Sequence, residues 1–302
     1  MHPGRRFYGR TSRRLGALLL TALALGACGS SSRSATLVLD FTPNAVHTGI
    51  YAAIARHLDL ANDVRLHVIV PSASTDSIKL LEAGRVNFAI LDIHDLAIAR
   101  ERGADLVGIM AIVQRPLSAV IAAPQIHTPR DLEGKLVGIT GVPSDTAVLH
   151  SIVAGAGGNP RRVPTLTIGF NAVADLLAGR VAAATAFWND EGVTLARARP
   201  GFHSFKVEDY GAPPYPELIV CATATALRRD RSLATAAVRT LVAGYEFTLA
   251  QPARSAAELE RLVPGLDPPL VAAQLHALLP AFRAADGRAG ELNASTLSSW
   301  AR

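Results

Sequence analysis

The chain has 302 residues, 49% of them apolar, and 30 basic against 25 acidic side chains give it a formal charge of +5. That length and apolar share can fill the core of one large or two medium α/β domains. The excess charge sits in Arg5, Arg6, Arg10, Arg13 and Arg14, ahead of Cys28 in a stretch without acids; the 25 bases that remain balance the 25 acids, so the charge gives no support to a nucleic-acid partner.

Taken in chain order, the five arginines precede an unbroken small and apolar run from Leu15 to Ala27. The run is too short to span a bilayer and suits the core of a secretory signal, so residues 1–27 are expected to be a signal peptide. It closes on Leu25-Gly26-Ala27-Cys28, which resembles the bacterial lipobox, in which the cysteine is acylated and becomes the mature N-terminus. A plain signal peptide with an incidental cysteine is the other reading. Ser12-Arg13-Arg14 weakly resembles a twin-arginine export signal, which leaves the export route open. With Cys28 lipidated, residues 28–35 form a polar tether, and the expected location is extracytoplasmic, anchored by lipid to a bacterial cell membrane. Cys221 then has no partner, and no disulfide is expected.

The mature chain alternates short apolar runs with helical periodicity. "TLVLDF", "RLHVIV", "NFAILD", "LVGIMAIV", "KLVGIT", "TLTIG", "AAATAF" and "ELIVCAT" read as strands of mostly parallel sheets, and hence as an α/β fold. Between them, "SASTDSIKLLEAG" (72–84) and "PSDTAVLHSIVAG" (143–155) carry hydroxyl and carboxylate caps at their starts and glycine at their ends. "LLEAGRVNFAILDIHD" (80–95) is echoed by "LLAGRVAAATAFWNDE" (176–191): a helix end, Gly-Arg-Val, a strand, then a polar or aromatic cluster. The echo suggests two related lobes, with both clusters at carboxyl ends of strands, where open α/β sheets bind ligands. Lobe 1 is expected over 36–121 plus 222–302 and lobe 2 over 122–221, with crossings near "IAAPQ" and "LIVCAT". From Thr225 the pattern is helical without a new strand and should pack on lobe 1. The Pro- and Gly-rich stretch 200–217 reads as irregular, able to cover a ligand.

Between the first strand and the first helix lies "LDFTPNAVHTGIYAA" (39–53). Its Asp40, Pro43, Asn44, His47, Thr48, Gly49 and Tyr51 resemble a signature of secreted solute-binding proteins serving ABC importers of thiamine pyrimidine precursors (hydroxymethylpyrimidine or formylaminopyrimidine). These are relatives of the eukaryotic hydroxymethylpyrimidine phosphate synthases. Phe41 stands where the family usually has tryptophan. The resemblance continues through "GRVNFAI", "GKLVGITG" and "FWNDEG". It implies a type II periplasmic-binding-protein fold, two α/β lobes with a ligand cleft between them. It also implies a small heteroaromatic solute, an ABC permease as membrane partner, and a monomer. The chain ends at "LSSWAR", earlier than the resemblance suggests, so a C-terminal bracing segment is an open question.

Several residues at these turns are candidates for contact with a solute. Phe41 offers a flat face to a heteroaromatic ring, with core packing as the equal alternative. Asn44 presents the donor and acceptor a pyrimidine edge needs, though Pro43-Asn44 is equally a turn. His47 is able to donate to a ligand heteroatom or to cap the next helix, and Asp40 to touch ligand or orient the turn. In "FWNDEG", Trp188 is an aromatic wall, Asn189 an amide reader, and Glu191 an acceptor for paired hydrogen bonds from an aminopyrimidine; the alternative for Glu191 is a solvated acid at a helix start. In "GITGVPSD" (138–145), free N–H groups and Ser144 are placed to hold a polar or anionic tail. Asp92 ends the matching strand of lobe 1, and Asp92, His94 and Asp95 invite a metal reading but lack a distant ligand set, so no metal is expected. Tyr215 covers the cleft or fills a loop.

The chain has no phosphate-binding P-loop, nucleophile elbow, zinc-protease helix or paired C-x-x-C. It also lacks the cysteine-rich motif of the eukaryotic synthases, with "GITGVPSD" and an isolated Cys221 instead. The expected function is therefore that of a binding subunit without enzymatic activity or cofactor. The alternatives are a riboflavin or other aromatic-solute binder, a sensor ectodomain and, last, a synthase-like enzyme.

Overall fold

The computed structural model describes residues 33–284 and 286–301. The signal peptide, Cys28 and the tether up to Ser32 lie outside the described residues. Among those described, no helix is long and apolar enough to cross a membrane.

Among the described residues, ten strands form two sheets. They are β1 (Arg33–Val38), β2 (Val64–Ile69), β3 (Phe88–Asp92), β4 (Leu106–Ala111), β5 (Ser118–Ala122), β6 (Val137–Ile139), β7 (Thr165–Thr167), β8 (Ala183–Phe187), β9 (His203–Lys206) and β10 (Leu218–Thr223). The first sheet runs β2-β1-β3-β10-β4 and the second β7-β6-β8-β5-β9. With the reversed strand of each sheet, β10 or β5, set aside, the remaining four strands follow the same order, second-first-third and then, beyond the reversed strand, fourth, and β3 and β8, the strands of the sequence echo, both take the central place. The helices before them end alike, on Gly84 and Gly179 at φ +63° and +68°, a left-handed geometry that a residue without Cβ adopts cheaply.

The sheets are not wholly parallel. β10 runs antiparallel to β3 and β4, and β5 antiparallel to β8 and β9. Each sheet thus receives one reversed strand from a crossing, which moves the expected lobe boundaries. β5, assigned to lobe 1 through residue 121, pairs in the second sheet, and β10, expected to belong to lobe 2 through residue 221, pairs in the first. The connections between sheets are the short stretch after β4 and the Pro-rich stretch before β10. β5 escapes the sequence pattern because all of "SAVIA" is buried, so no alternation marks it.

The first lobe's core gathers Leu37, Phe88, Ile90 and Val220 with Tyr245 and Phe282 of the C-terminal segment. That segment is helical, as its pattern implies, and packs on lobe 1. The helices Thr48–Ala55 and Arg231–Ala250 come so close that a Cβ on Gly49 would sit 2.5 Å from the Tyr245 ring, and one on Gly244 would sit 2.0 Å from the Gly49 carbonyl. The Tyr245 hydroxyl donates to the Val46 carbonyl at 2.8 Å. Gly49 of the opening signature is therefore required by helix packing. Cys221 is a free, buried thiol whose pKa burial raises.

Candidate ligand-binding cleft

The carboxyl ends of the two sheets face each other across a cavity of about 110 Å³. From lobe 1 it is lined by Asp40 and Phe41 after β1, by Ser74 and Ser77, and by Asp92 and Asp95 after β3. Lobe 2 contributes Thr140, Ser144 and Asp145 after β6, Phe170 after β7, and Phe187, Asp190 and Glu191 after β8. The lobes are in contact around it. The Ser144 N–H donates to Asp95 Oδ1 at 2.9 Å, Ser74 Oγ donates to the Thr140 carbonyl at 2.7 Å, and Phe41 meets Phe170 edge to face with centroids 4.5 Å apart.

Six carboxylates line this cavity: Asp40, Asp92, Asp95, Asp145, Asp190 and Glu191. Among the described residues no lysine, arginine or histidine joins them. Burial pushes Glu191 up to about 7, with the Asp40 charge adding to the shift. Burial also raises Asp190 well above the ordinary carboxylate range, helped by Glu191 and Asp40, while bonds from Asn44 and Gln274 oppose the shift. Asp92 is pushed up to about 7 by burial and by Asp95, and Asp95 to about 6 by burial and by Asp145. Such a wall of acceptors in a partly dry space favours a ligand that brings hydrogen-bond donors or positive charge.

The opening turn is organised around two of these acids. Asn44 caps the short helix Ala45–His47: its Oδ1 accepts the Val46 N–H at 2.9 Å, and His47 Nδ1 accepts the Asn44 N–H at 3.2 Å. With Nδ1 accepting, the His47 proton lies on Nε2, which donates to Asp40 Oδ1 at 3.0 Å. His47 is fully buried and does not line the cavity, so its place is behind Asp40. Asn44 likewise stays off the lining and spends its NH2 on Asp190 Oδ2 at 2.8 Å and on the Thr42 carbonyl. In this structure the amide and the imidazole hold the acids, and it is Asp40 and Phe41 that face the cavity.

In lobe 2, Glu191 lines the cavity with Oε2 accepting the Phe187 N–H at 3.0 Å. Trp188 and Asn189 do not line it. The Trp188 indole donates to the Pro116 carbonyl at 3.0 Å, with Lys206 Nζ 4.4 Å from its ring centre, so the indole packs beside the connection between the lobes. Asn189 is 1% exposed and its Oδ1 has no partner. Ser144 lines the cavity, but its turn is no anion receptor. Asp145 accepts from the Gly141 N–H at 2.6 Å and from the Thr140 and Thr185 hydroxyls, and the Ser144 N–H goes to Asp95. Gly141, at φ +96°, makes that turn possible.

Tyr215 does not cover the cleft. It is 1% exposed, with its ring edge to face on His94 at 4.6 Å and its hydroxyl buried without a hydrogen-bond partner. Burial and the nearby Glu217 charge raise its pKa. Asp92, His94 and Glu217 bring potential metal-ligating atoms within 4.8 Å of one another, so Glu217 is the distant partner that Asp92, His94 and Asp95 lacked in sequence. These atoms already serve one another and the hinge. Asp92 Oδ1 accepts from the His94 N–H and lies 3.0 Å from His94 Nδ1, and His94 Nε2 accepts from Trp300. The Glu217 carboxylate accepts the Leu117 and Ser118 N–H groups and the Ser118 hydroxyl.

Phe170, Asp145 and Asp190 are lining residues that sequence reasoning does not single out. Asp145 and Asp190 lie inside quoted runs, "GITGVPSD" and "FWNDEG", but a carboxylate at a helix start is common enough to carry no signal. Phe170 follows "TLTIG" with nothing local to mark it.

Two five-stranded α/β sheets facing across a cleft define the periplasmic-binding-protein fold. The alkanesulfonate-binding protein SsuA from Xanthomonas axonopodis pv. citri, bound to MOPS, superposes with a TM-score of 0.71 at 16% identity, covering 88% of this chain and 89% of that one. The model of the NMT1/THI5-like family matches residues 44–255, and the chain belongs to that family. A formylaminopyrimidine-binding protein from Halalkalibacterium halodurans is 29% identical over 245 residues, 78% of this chain and 74% of the relative. A 4-amino-5-hydroxymethyl-2-methylpyrimidine phosphate synthase from Legionella pneumophila is 25% identical over 147 residues, 48% of this chain and 46% of the relative.

Proposed function

We propose that the protein is the extracytoplasmic solute-binding subunit of an ABC importer and that its solute is an aminopyrimidine precursor of thiamine, held between the closed lobes. One observation carries the reading: a small cavity with aromatic edges from both lobes, Phe41 and Phe170, and six carboxylates without a lining cation. A cavity of this size is on the scale of one small ring, as an engineered cavity of about 150 Å³ takes up benzene. Riboflavin, with three fused rings and a ribityl chain, exceeds it. The likeness to a formylaminopyrimidine-binding protein supports the same choice. In this reading the lipid on Cys28 tethers the subunit beside its permease, which recognises the closed form.

A synthase acting on phosphorylated compounds fits the site less well. A phosphate calls for cations or free N–H groups, and in the turn after β6 the Gly141 and Ser144 N–H groups go to carboxylates and that of Val142 to the Thr140 hydroxyl.

Glu191 tests the assignment. In Glu191→Gln the amide oxygen retains the Phe187 N–H and the new NH2 faces the cavity, opposing a donor with a donor. Its affinity for 4-amino-5-hydroxymethyl-2-methylpyrimidine should fall by about 2 to 4 kcal/mol, roughly 30-fold to 1000-fold. The analogue without the 4-amino group should bind weakly to the native protein and lose little more in the variant. Calorimetric titration of both proteins with both rings completes the cycle, and equal losses for the two rings would overturn the pyrimidine assignment.

A further inference from the structure

Phe41 of lobe 1 and Phe170 of lobe 2 are half-buried rings that meet across the cleft, edge to face with their planes at 71°, and both line the cavity. Their place in the fold follows from the strand orders. The chain passes between the sheets beside β4 and β10 in the first and β5 and β9 in the second, so the hinge lies along that side. Phe41 follows β1 and Phe170 follows β7, strands at or next to the opposite edge of each sheet. Ser74, after β2, and Thr140, after β6, meet on the same side through their 2.7 Å bond. This side is the mouth of the cleft. Phe170 is firmly set there: Ile168, two residues before it, is buried and donates its N–H to the Ile139 carbonyl at 2.8 Å, and Asn171 Nδ2 donates to the Ile168 carbonyl at 2.9 Å.

We infer that Phe41 and Phe170 form an aromatic gate at the mouth, and that Phe170 is the residue of lobe 2 that sets the size limit of the solute. The inference rests on the reading of the cavity as the solute site and adds to it the side chain that decides how large a ring system the closed lobes accept. A solute with one ring leaves the two phenyl groups free to meet as the lobes close over it. A fused second ring needs the space that Phe170 fills, so it holds the gate apart and binding no longer favours the closed form. Two hydrocarbon rings suit this place. They keep water from the acceptors beneath them, which strengthens the hydrogen bonds those acceptors make to a solute, and they offer no polar group to compete for the solute's donors.

The test compares ring sizes on a common edge. 4-Amino-5-hydroxymethyl-2-methylpyrimidine and 4-amino-2-methylquinazoline share the amino edge, benzamidine and 2-naphthamidine share an amidinium, and the second member of each pair carries one more fused ring. Calorimetric titration of the native protein should favour the single ring by about tenfold or more. Phe170→Ala removes a ring of the size that was added, so the preference should shrink to within about threefold or reverse. Phe170→Leu retains part of the bulk and should fall between, and it carries the test if thermal unfolding shows that Phe170→Ala has lost its fold. In small-angle scattering the single rings should contract the native protein and both variants, and the fused rings should contract Phe170→Ala but not the native protein. A merely structural role for Phe170 would weaken both members of a pair alike. An unchanged preference in the folded variants, or a native protein that takes the fused ring equally well, would overturn the gate. The expected shift with the amidines, without binding of the pyrimidine, would retain the gate and overturn the pyrimidine assignment, and failure of every one of these rings to bind would overturn both.

Discussion

β3 and β8 occupy the same place in their sheets and are preceded by the same left-handed glycine, and each hands the chain to an acidic turn, but the two turns serve different ends. At the end of β3, Asp92 touches the cavity with part of its surface and otherwise joins a partly buried cluster with His94, Glu217, Tyr215 and Trp300. Glu217 in that cluster ties the chain entering β10 to the chain entering β5, through the Leu117 and Ser118 N–H groups. After β8, Asp190 and Glu191 sit on the cavity wall and face lobe 1. The first strand end is built into the hinge and the second into the cleft. A repeated backbone unit fixes where a side chain emerges, and the neighbours brought in by later parts of the chain fix what it does.

The largest effect that would sharpen this division is expected at Glu217. Glu217→Leu leaves two buried N–H groups and the Ser118 hydroxyl without an acceptor and should cost about 2 to 5 kcal/mol of stability. Glu217→Gln retains an oxygen for both N–H groups and an NH2 for the hydroxyl, so it should cost far less. Denaturant unfolding separates the two. Glu191→Gln should show the reverse pattern, a large loss of affinity with little change in the unfolding midpoint. If Glu217→Leu unfolds like the native protein, the hinge role of the first strand end fails.

Next in size is a pH dependence to which both ends contribute. Asp92 and Glu191 titrate near 7 and Asp95 near 6 in the folded protein, against ordinary values of about 4 in the unfolded chain. The folded state therefore binds protons more tightly. Its contribution from these groups is fully present below about pH 4 and is lost as pH rises through 6 and 7. The unfolding free energy of the unliganded protein should fall between pH 5 and pH 8. Bound 4-amino-5-hydroxymethyl-2-methylpyrimidine, by holding Glu191 ionised, should remove that residue's share of the slope and leave the share of Asp95, which is bonded to Ser144. A flat profile without solute would show that the acids do not retain protons.

Much of the architecture is legible in the sequence because it rests on period and punctuation. Eight apolar runs, the glycines that end the helices, and the echo each have a local cause. β5 and β9 are lost because five buried residues and four mixed ones carry no period of their own. The site is less legible for a different reason. Asn44 and His47 are chosen for groups that cap a turn and equally suit a ligand, so only the bonds to Val46, Asp190 and Asp40 decide between the two. Trp188 reads as a cleft wall until Pro116, 72 positions away, takes its indole N–H. Gln274 has no neighbour in sequence that hints at Asp190.

The smallest expected effect falls on Tyr215, which the irregular stretch 200–217 offers as a cover for the cleft. Its ring packs beside His94 and Trp300 on the hinge side, at 4.6 and 6.2 Å between centroids, and it is absent from the cavity wall. Its hydroxyl is buried near Ser118 and Glu217 without a hydrogen bond of good geometry, so deleting the oxygen loses little and leaves the ring packing intact. Tyr215→Phe should leave stability unchanged or raise it by up to about 1 kcal/mol. Affinity for 4-amino-5-hydroxymethyl-2-methylpyrimidine should stay within about twofold, since a residue that touches only the hinge cluster alters binding only through the closure equilibrium. Tyr215→Ala provides the contrast: it opens a cavity beneath Trp300 and should cost about 3 to 5 kcal/mol of stability with no specific loss for the amino ring over its des-amino analogue. A selective loss of the amino ring in Tyr215→Phe would place the hydroxyl on the solute and move the boundary between hinge and cleft to include it.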